Sequence, residues 1–540
     1  METIARDLRE MRRTPLHESH VAALREISEE VTYEKGEIVV RAGEMANQFV
    51  YVLEGEIVVL HPITGERHLE ASLGPTQFAG EIALISGTAH TMSLQACATT
   101  RALVAPREAL LDLMARIPEM SDIIITVLAA RRRRQLEDND GSLTLLGAEV
   151  DRGVRQVEAF ATRNRLPFRQ VELGTAEADA LAASCKIPTN TPAVVFGKEH
   201  VIEDASPSSV ARYLGMDMSV DCGETVDVLI VGGGPSGVAA GVYAGAEGLS
   251  AIVVESLAIG GQAGTSSRIE NYMGFPTGIS GADLVWRGEV QAMKFGTRFL
   301  VPCRVSALER EGDLFVASID DGRKVRSRAV IIATGVQYRR LPLDRLEDFE
   351  GAGVYYAATE SEARYCRNTE VVVIGGGNSA GQAAMFLSRS AKHVHVLVRG
   401  QSLAASMSEY LSSRLYADPA ITVHFQSQVS ALVGEQSLEQ VTWHNKATAQ
   451  DTTIPSNGVF VMVGAAPNTG WLSDLAKLDE RGFVLTGDAV EQHDSYATSC
   501  PGLFAVGDVR ATSVKRVASS VGEGSVVVSQ AWNFVNRGEA

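Results

Sequence analysis

Two glycine clusters carry the chemistry most legible in this chain of 540 residues. Gly232, Gly234 and Gly237 stand at G-x-G-x-x-G spacing, and Gly375, Gly377 and Ala380 repeat the pattern as G-x-G-x-x-A, with Asn378 and Ser379 between. Backbone without side chains lets amide N–H groups close on an anion, and the amino end of a following helix adds its partial positive charge. The anion implied is a pyrophosphate. About 20 residues past the first cluster stands Glu255, placed to accept a hydrogen bond from a ribose hydroxyl. The equivalent position after the second cluster is Arg399. A guanidinium there suits a 2′-phosphate by bidentate pairing, so NADPH is expected ahead of NADH.

The elements that must position these groups are readable. Val226, Val228, Leu229, Ile230 and Val231 form an apolar run suited to a buried parallel strand. A small-residue helix and a second strand, Ala251 to Val254, follow. Downstream, a strand over 370–374, a helix over 381–388 and a strand over 393–398 repeat the order. Two dinucleotide fingerprints in one chain imply an α/β fold with two nucleotide sites. One holds a bound flavin and the other a diffusible nicotinamide, as hydride transfer between rings requires.

Length predicts three or four domains. A net charge of −17 speaks against nucleic acid as a partner. The charged residues 1–13 are followed by no apolar core, so no signal peptide is expected, and no apolar run reaches the roughly 18 residues of a membrane span. The six cysteines (Cys97, Cys185, Cys222, Cys303, Cys366, Cys500) include no C-x-x-C. That pattern predicts a cytoplasmic protein with neither a disulfide framework nor a metal site.

Residues 34–104 alternate and turn at glycines near the spacing of an all-β roll. A helical pattern begins at Arg107 and ends in Arg131 to Arg134, read as a solvated helix end. Residues 141–217 read as alternating strands and helices, with strands at 143–146, 168–173 and 191–196. Ser206 is the expected N-cap of the last helix, which opens on Pro207.

Three resemblances organise these readings. The first segment resembles the cyclic nucleotide-binding domain of the catabolite activator protein and kinase regulatory subunits, through Phe78-Ala79-Gly80-Glu81-Ile82-Ala83-Leu84. That resemblance implies a cyclic phosphate on the backbone from Gly80 to Ala83 and a ribose hydroxyl on Glu81. The family's Pro-Arg is replaced by Ala89-His90, followed by Thr91, so the phosphate-pairing arginine is absent. The middle segment resembles the thioredoxin or glutaredoxin fold, whose proline at the position of Pro192 is cis. Its loop at 147–152 has no cysteine, which implies a redox-silent adaptor.

The remainder resembles the low-molecular-weight thioredoxin reductase class, through Gly260-Gly261-Gln262, Glu270-Asn271-Tyr272, Ala333-Thr334-Gly335, the stretch 464–468 and Gly507-Asp508-Val509-Arg510. The resemblance implies FAD against Gln262, Asn271 and Asp508, with Arg516 and Val517 beneath its ring. It also implies a homodimer whose two nucleotide domains rotate relative to each other. The class carries a C-x-x-C; its two positions here are Ala358 and Ser361. The expected division is 1–135 cyclic nucleotide-binding-like, 141–217 thioredoxin-like, 224–340 and 464–540 FAD, and 341–463 NAD(P)H. Hydride passes from nicotinamide to flavin, and the onward acceptor, a protein among the candidates, stays open. Two other readings stand beside it: a disulfide reductase using thiols such as Cys303 or Cys500, and a cyclic nucleotide or redox sensor.

Overall fold

The alternating stretch at the front folds as two four-stranded antiparallel sheets. One runs Glu29–Tyr33, Thr100–Pro106, Gln48–Glu54, Phe78–Ala79; the other runs Ile38–Val40, Ser93–Ala96, Ile57–Leu60, Arg67–Leu73. Phe49, Val50, Tyr51 and Val52 are all buried, because their strand lies between neighbours with packed layers on both faces. The helical pattern that follows is two helices, Arg107–Arg116 and Pro118–Glu137, broken where Pro118 starts the second. Proline has no N–H to offer the preceding turn and suits a first helical position. The computed structural model describes residues 15–62, 64–139, 141–197, 200–216, 224–266, 269, 271–356, 358, 360–404, 406–435, 437–472 and 474–536. Residues 1–13, Cys222 and Glu270, singled out above, lie outside the described residues.

The middle segment forms a four-stranded sheet in the order Phe168–Val171, Leu143–Leu146, Ala193–Phe196, His200–Ile202. The first pair is parallel and the others antiparallel. Ser206 caps the helix Pro207–Tyr213 by accepting from the Ser209 N–H at 3.3 Å. The expectation of a cis bond before Pro192 is not met. Among the described residues the cis bond precedes Pro302.

The first glycine cluster opens a larger sheet in the order Arg298–Leu300, Ala251–Val254, Thr225–Val231, Lys324–Ile332, with the hairpin Val305–Glu311 and Leu314–Ile319 beyond. Leu503–Ala505 pairs in parallel with the end of Lys324–Ile332, so the end of the chain returns to this sheet. The second cluster belongs to a parallel sheet, Val354–Tyr355, Gly458–Val461, Glu370–Ile374, His393–Val398, Ile421–Phe425, with a three-stranded antiparallel sheet beside it. The two chain crossings between these sheets, Val336–Tyr338 and Ala465–Pro467, pair with each other. Every central strand is buried on both faces, which is why their sequences read as continuous apolar runs.

Candidate functional site

Gly232 leaves its strand at φ +109°, a conformation L side chains rarely adopt. Gly237 lies against that turn so tightly that an added Cβ would stand 1.8 Å from the Gly232 carbonyl oxygen. Gly234 is different. A Cβ there would meet nothing within 4 Å, so the space before the helix Pro235–Ala246 is open. Gly260 closes one side, donating its N–H to the Gly233 carbonyl at 2.8 Å, and Gly261 lies beside Gly234. Glu255 ends its strand as expected, yet its carboxylate already accepts from Gly233 N–H at 2.8 Å and Leu257 N–H at 2.9 Å. It braces the turn, and a carboxylate has further lone pairs for a ribose hydroxyl.

Asp508 reaches the same sheet end from the far end of the sequence. Its Oδ1 is buried with no hydrogen-bond partner among the described residues. Burial pushes the carboxyl up, with Lys515 drawing it down and Glu523 up again. A buried acceptor without a donor marks a place that a ligand completes. An open phosphate cradle facing an orphaned acceptor fits a flavin dinucleotide, with Gly232, Gly234, Gly237, Glu255 and Asp508 as the residues that would hold it.

Glu523 escaped the sequence reading. From the helix Val517–Val535 it accepts from Gly507 N–H at 2.7 Å, Arg510 Nη2 at 2.8 Å and Ser513 Oγ at 3.2 Å, and so fixes the loop that presents Asp508. The available signal was its isolation: it is the one charged residue in that helix. Gln262 donates its amide to the Val336 carbonyl, at the crossing between sheets. Asn271 is exposed on the loop beyond the Ile269–Ile279 bridge. Arg516 is the exposed N-cap of the helix that Val517 begins.

The second cluster repeats the device. Gly375 has φ +144°, and a Cβ on it would stand 2.4 Å from the Met462 carbonyl oxygen. Gly377 is the N-cap of the helix Asn378–Leu387, with Asn378 and Ser379 exposed and Ala380 buried beneath. The loop after His393–Val398 folds back over this turn. Ser406 Oγ donates to the Gly376 carbonyl at 2.7 Å, and Asn378 Oδ1 accepts from Ser408 N–H at 2.8 Å. Arg399 is exposed at the strand end.

At the front of the chain, a cavity of about 830 Å³ lies between the β-roll and the helix Pro118–Glu137. Its floor is apolar, with Ile57, Val59, Leu73 and Leu94, and its polar end gathers Gly80, Glu81, His90 and Gln135. Ala83 is buried in the short helix beside it. Glu81 Oε1 accepts from both the N–H and the hydroxyl of Thr91 at 2.7 Å. Oε2 pairs with Arg132 Nη2 at 3.0 Å, and both side chains are almost wholly buried. Against the cost of burial, Arg132 and Thr91 hold the Glu81 carboxyl below its usual range. Burial lowers the His90 imidazole, although Glu81 and Glu44 pull the other way. The arginine run is therefore only in part a solvated helix end: Arg134 is exposed, whereas Arg132 turns inward to the carboxylate. Arg131 also reaches back, donating to the carbonyls of Gly80 at 2.7 Å and Phe78 at 2.8 Å.

A family profile described as Pyridine nucleotide-disulphide oxidoreductase matches residues 226–524. The chain belongs to the pyridine nucleotide-disulphide oxidoreductase family. It is a thioredoxin reductase-like FAD-dependent oxidoreductase of a family that uses FAD and NADPH. A Cyclic nucleotide-binding domain profile matches residues 30–117. Similar proteins include a thioredoxin reductase of Streptomyces clavuligerus, 33% identical over 310 residues, 57% of this chain and 94% of that one. Another is an NADH dehydrogenase of Bacillus subtilis (strain 168), 32% identical over 314 residues, covering 58% of this chain and 59% of that protein. Among solved structures, the Lactococcus lactis thioredoxin reductase in its FR conformation matches at TM-score 0.52 and 30% identity, over 58% of this chain and 99% of that one. Thioredoxin reductase of T. acidophilum matches at TM-score 0.51 and 27% identity, again over 58% and 99%.

Within this pyridine nucleotide-disulphide oxidoreductase, Ala358 is half-buried against the core of the second nucleotide sheet, and position 361 falls in the helix Glu360–Tyr365. Cys366, just past that helix, is fully buried. Burial, then Glu362, pushes its thiol up to about 12, far from the thiolate that exchange requires. Cys303 is buried and accepts from Arg323 Nη2 at 3.2 Å, whereas Cys500 is half-exposed. Cys97, Cys366 and Cys500 are free thiols. Among the described residues no helix is long and apolar enough to cross a membrane.

Proposed function

We propose that this chain is an NADPH-driven flavin oxidoreductase whose electrons leave to an external acceptor rather than to an internal dithiol. The observation that carries the reading is the pairing of two well-formed nucleotide turns with alanine and serine where the class has sulfur. Bound FAD would accept hydride from the nicotinamide and supply the redox chemistry. The chain's own part is to bind and orient: Gly234 and Gly377 leave room for the two pyrophosphates, Glu255 and Asp508 hold the flavin dinucleotide, and Arg399 selects the 2′-phosphate. The proposed units follow the expected boundaries, except that the front unit extends to the end of its helix at Glu137. The reading includes a cytoplasmic homodimer, on the strength of the class resemblance.

The front unit is proposed to modulate this activity by binding a cyclic nucleotide in the cavity at Glu81. The 830 Å³ volume suits a nucleotide-sized ligand. The deciding experiment reduces the holoenzyme anaerobically with NADPH and offers oxygen, quinone, ferredoxin, flavodoxin and thioredoxin separately, with and without cyclic nucleotide. Rapid reoxidation by thioredoxin alone, abolished by thiol blocking of the enzyme, would overturn the external-acceptor reading.

A further inference from the structure

The polar end of the front cavity is short of uncommitted positive charge. Among the described residues, the titratable groups that the β-roll brings to the lining are Glu81 and His90. The helix Pro118–Glu137 and its C-cap add Asp122, Arg131, Arg133, Arg134, Glu137 and Asp138. The four arginines of that helix are engaged. Arg132 pairs with Glu81, and Arg131 donates to the Gly80 and Phe78 carbonyls. Arg133 pairs with Glu137 at 3.0 Å and Arg134 with Asp138 at 3.4 Å, both in more exposed positions than Arg132.

His90 differs. Its backbone is fixed on both sides, donating to the Glu44 carbonyl at 2.9 Å and accepting from Gly43 N–H at 2.8 Å. Its ring, buried in the cavity wall, has no hydrogen-bond partner among the described residues. The carboxylates that act on it are Glu81 and Glu44. Burial outweighs both, so the imidazole stays neutral at neutral pH.

We infer that His90 is the phosphate-recognition residue of this cavity, and that a cyclic nucleotide binds with uptake of a proton from solvent onto its ring. The inference rests on the proposed reading of the cavity as a cyclic nucleotide site. In a 3′,5′-cyclic nucleotide the 2′-hydroxyl and the esterified 3′-oxygen stand on bonded carbons. A 2′-hydroxyl given to Glu81 therefore seats the phosphate at the same polar end, beside His90. A buried anion without a cation is costly. The Glu81–Arg132 pair is neutral overall and offers the phosphate no net charge. A proton added to the His90 ring supplies that charge, together with an N–H donor to a phosphate oxygen. The bound anion in turn raises the proton affinity of the ring.

The test is calorimetry of the full holoenzyme with cyclic AMP and with cyclic GMP, in buffers of low and high ionisation enthalpy, which counts protons taken up. The wild type should take up about one proton per ligand at neutral pH and bind about fivefold or more tighter near pH 6 than near pH 8. His90→Arg should bind with no proton uptake and a flat pH profile, because a guanidinium is charged throughout. His90→Gln should bind more weakly than the wild type near pH 6, again without uptake. Circular dichroism reports that each variant is folded. Wild-type binding without proton uptake overturns the inference and leaves the cyclic nucleotide reading standing. Uptake that persists in His90→Gln overturns it too, since the proton then belongs to another group. Binding by His90→Arg but not by the wild type at any pH has the same consequence. Should no form bind either nucleotide, the cyclic nucleotide reading falls and the inference falls with it.

Discussion

Glu158 and Tyr365 lie far apart in sequence, yet the Tyr365 hydroxyl donates to Glu158 Oε2 at 2.8 Å. Arg364 Nη2 donates to the other oxygen at 2.8 Å, so one carboxylate of the middle segment fastens the helix that follows position 358. Burial, then Glu158, raises the Tyr365 hydroxyl above its ordinary range. The middle segment therefore holds the helix Glu360–Tyr365, just past Ala358. Glu158→Ala should strand two donors and cost about 1–3 kcal/mol, read as a lower urea midpoint and faster exchange over 360–365. Unchanged exchange there would mean that the contact does not hold the helix.

Gly237→Val should yield protein without flavin colour, because a side chain cannot share space with the Gly232 carbonyl. Glu523→Ala should fold but release FAD more readily, since the Gly507 N–H and Arg510 lose their common acceptor. Absorbance near the flavin bands, before and after dialysis, checks both. Full flavin retention in Glu523→Ala would remove its role in positioning Asp508.

Arg399→Ala should lose most of the preference for NADPH. A charge-assisted contact to a 2′-phosphate contributes about 1.5–3 kcal/mol, or about 10- to 100-fold in kcat/KM. NADH turnover should stay nearly unchanged. An equal fall with both cofactors would make Arg399 a structural residue.

Anaerobic titration with dithionite should bleach the flavin after one two-electron equivalent per chain, with no change after thiol blocking. Cys366 and Cys303 are buried and Cys500 is half-exposed. Ala358→Cys with Ser361→Cys should add a second equivalent, and a wild type that already takes two would return the disulfide reductase reading.

His424 sets a pH dependence. Burial, then His395 and His393, lowers its imidazole to about 4, and His395 Nδ1 lies 3.0 Å from its Nε2. A folded-state pKa below the unfolded value means stability is complete above about 6.5 and is lost as pH falls toward 4. His424→Gln should flatten that part of the unfolding profile. An unaltered profile would place the acid sensitivity elsewhere.

The sequence alone determined the two nucleotide turns, because Gly232, Gly237 and Gly375 answer a local steric demand that leaves its mark in spacing. It also determined the parallel strands, whose burial on both faces writes them as unbroken apolar runs, and the lack of sulfur at 358 and 361. Only the tertiary structure decided what Glu81, Arg132, Glu158 and Glu523 do. Their partners, Arg132 for Glu81, Tyr365 for Glu158 and Gly507 for Glu523, come from distant stretches of chain. Arg132 sits in a run of four arginines that reads as solvated, since a one-dimensional charge pattern does not say which side of a helix meets a buried carboxylate. Periodicity and motif report what a residue owes to its neighbours in sequence. Charge pairing across folded elements depends on which surfaces meet, and only the packed chain fixes that.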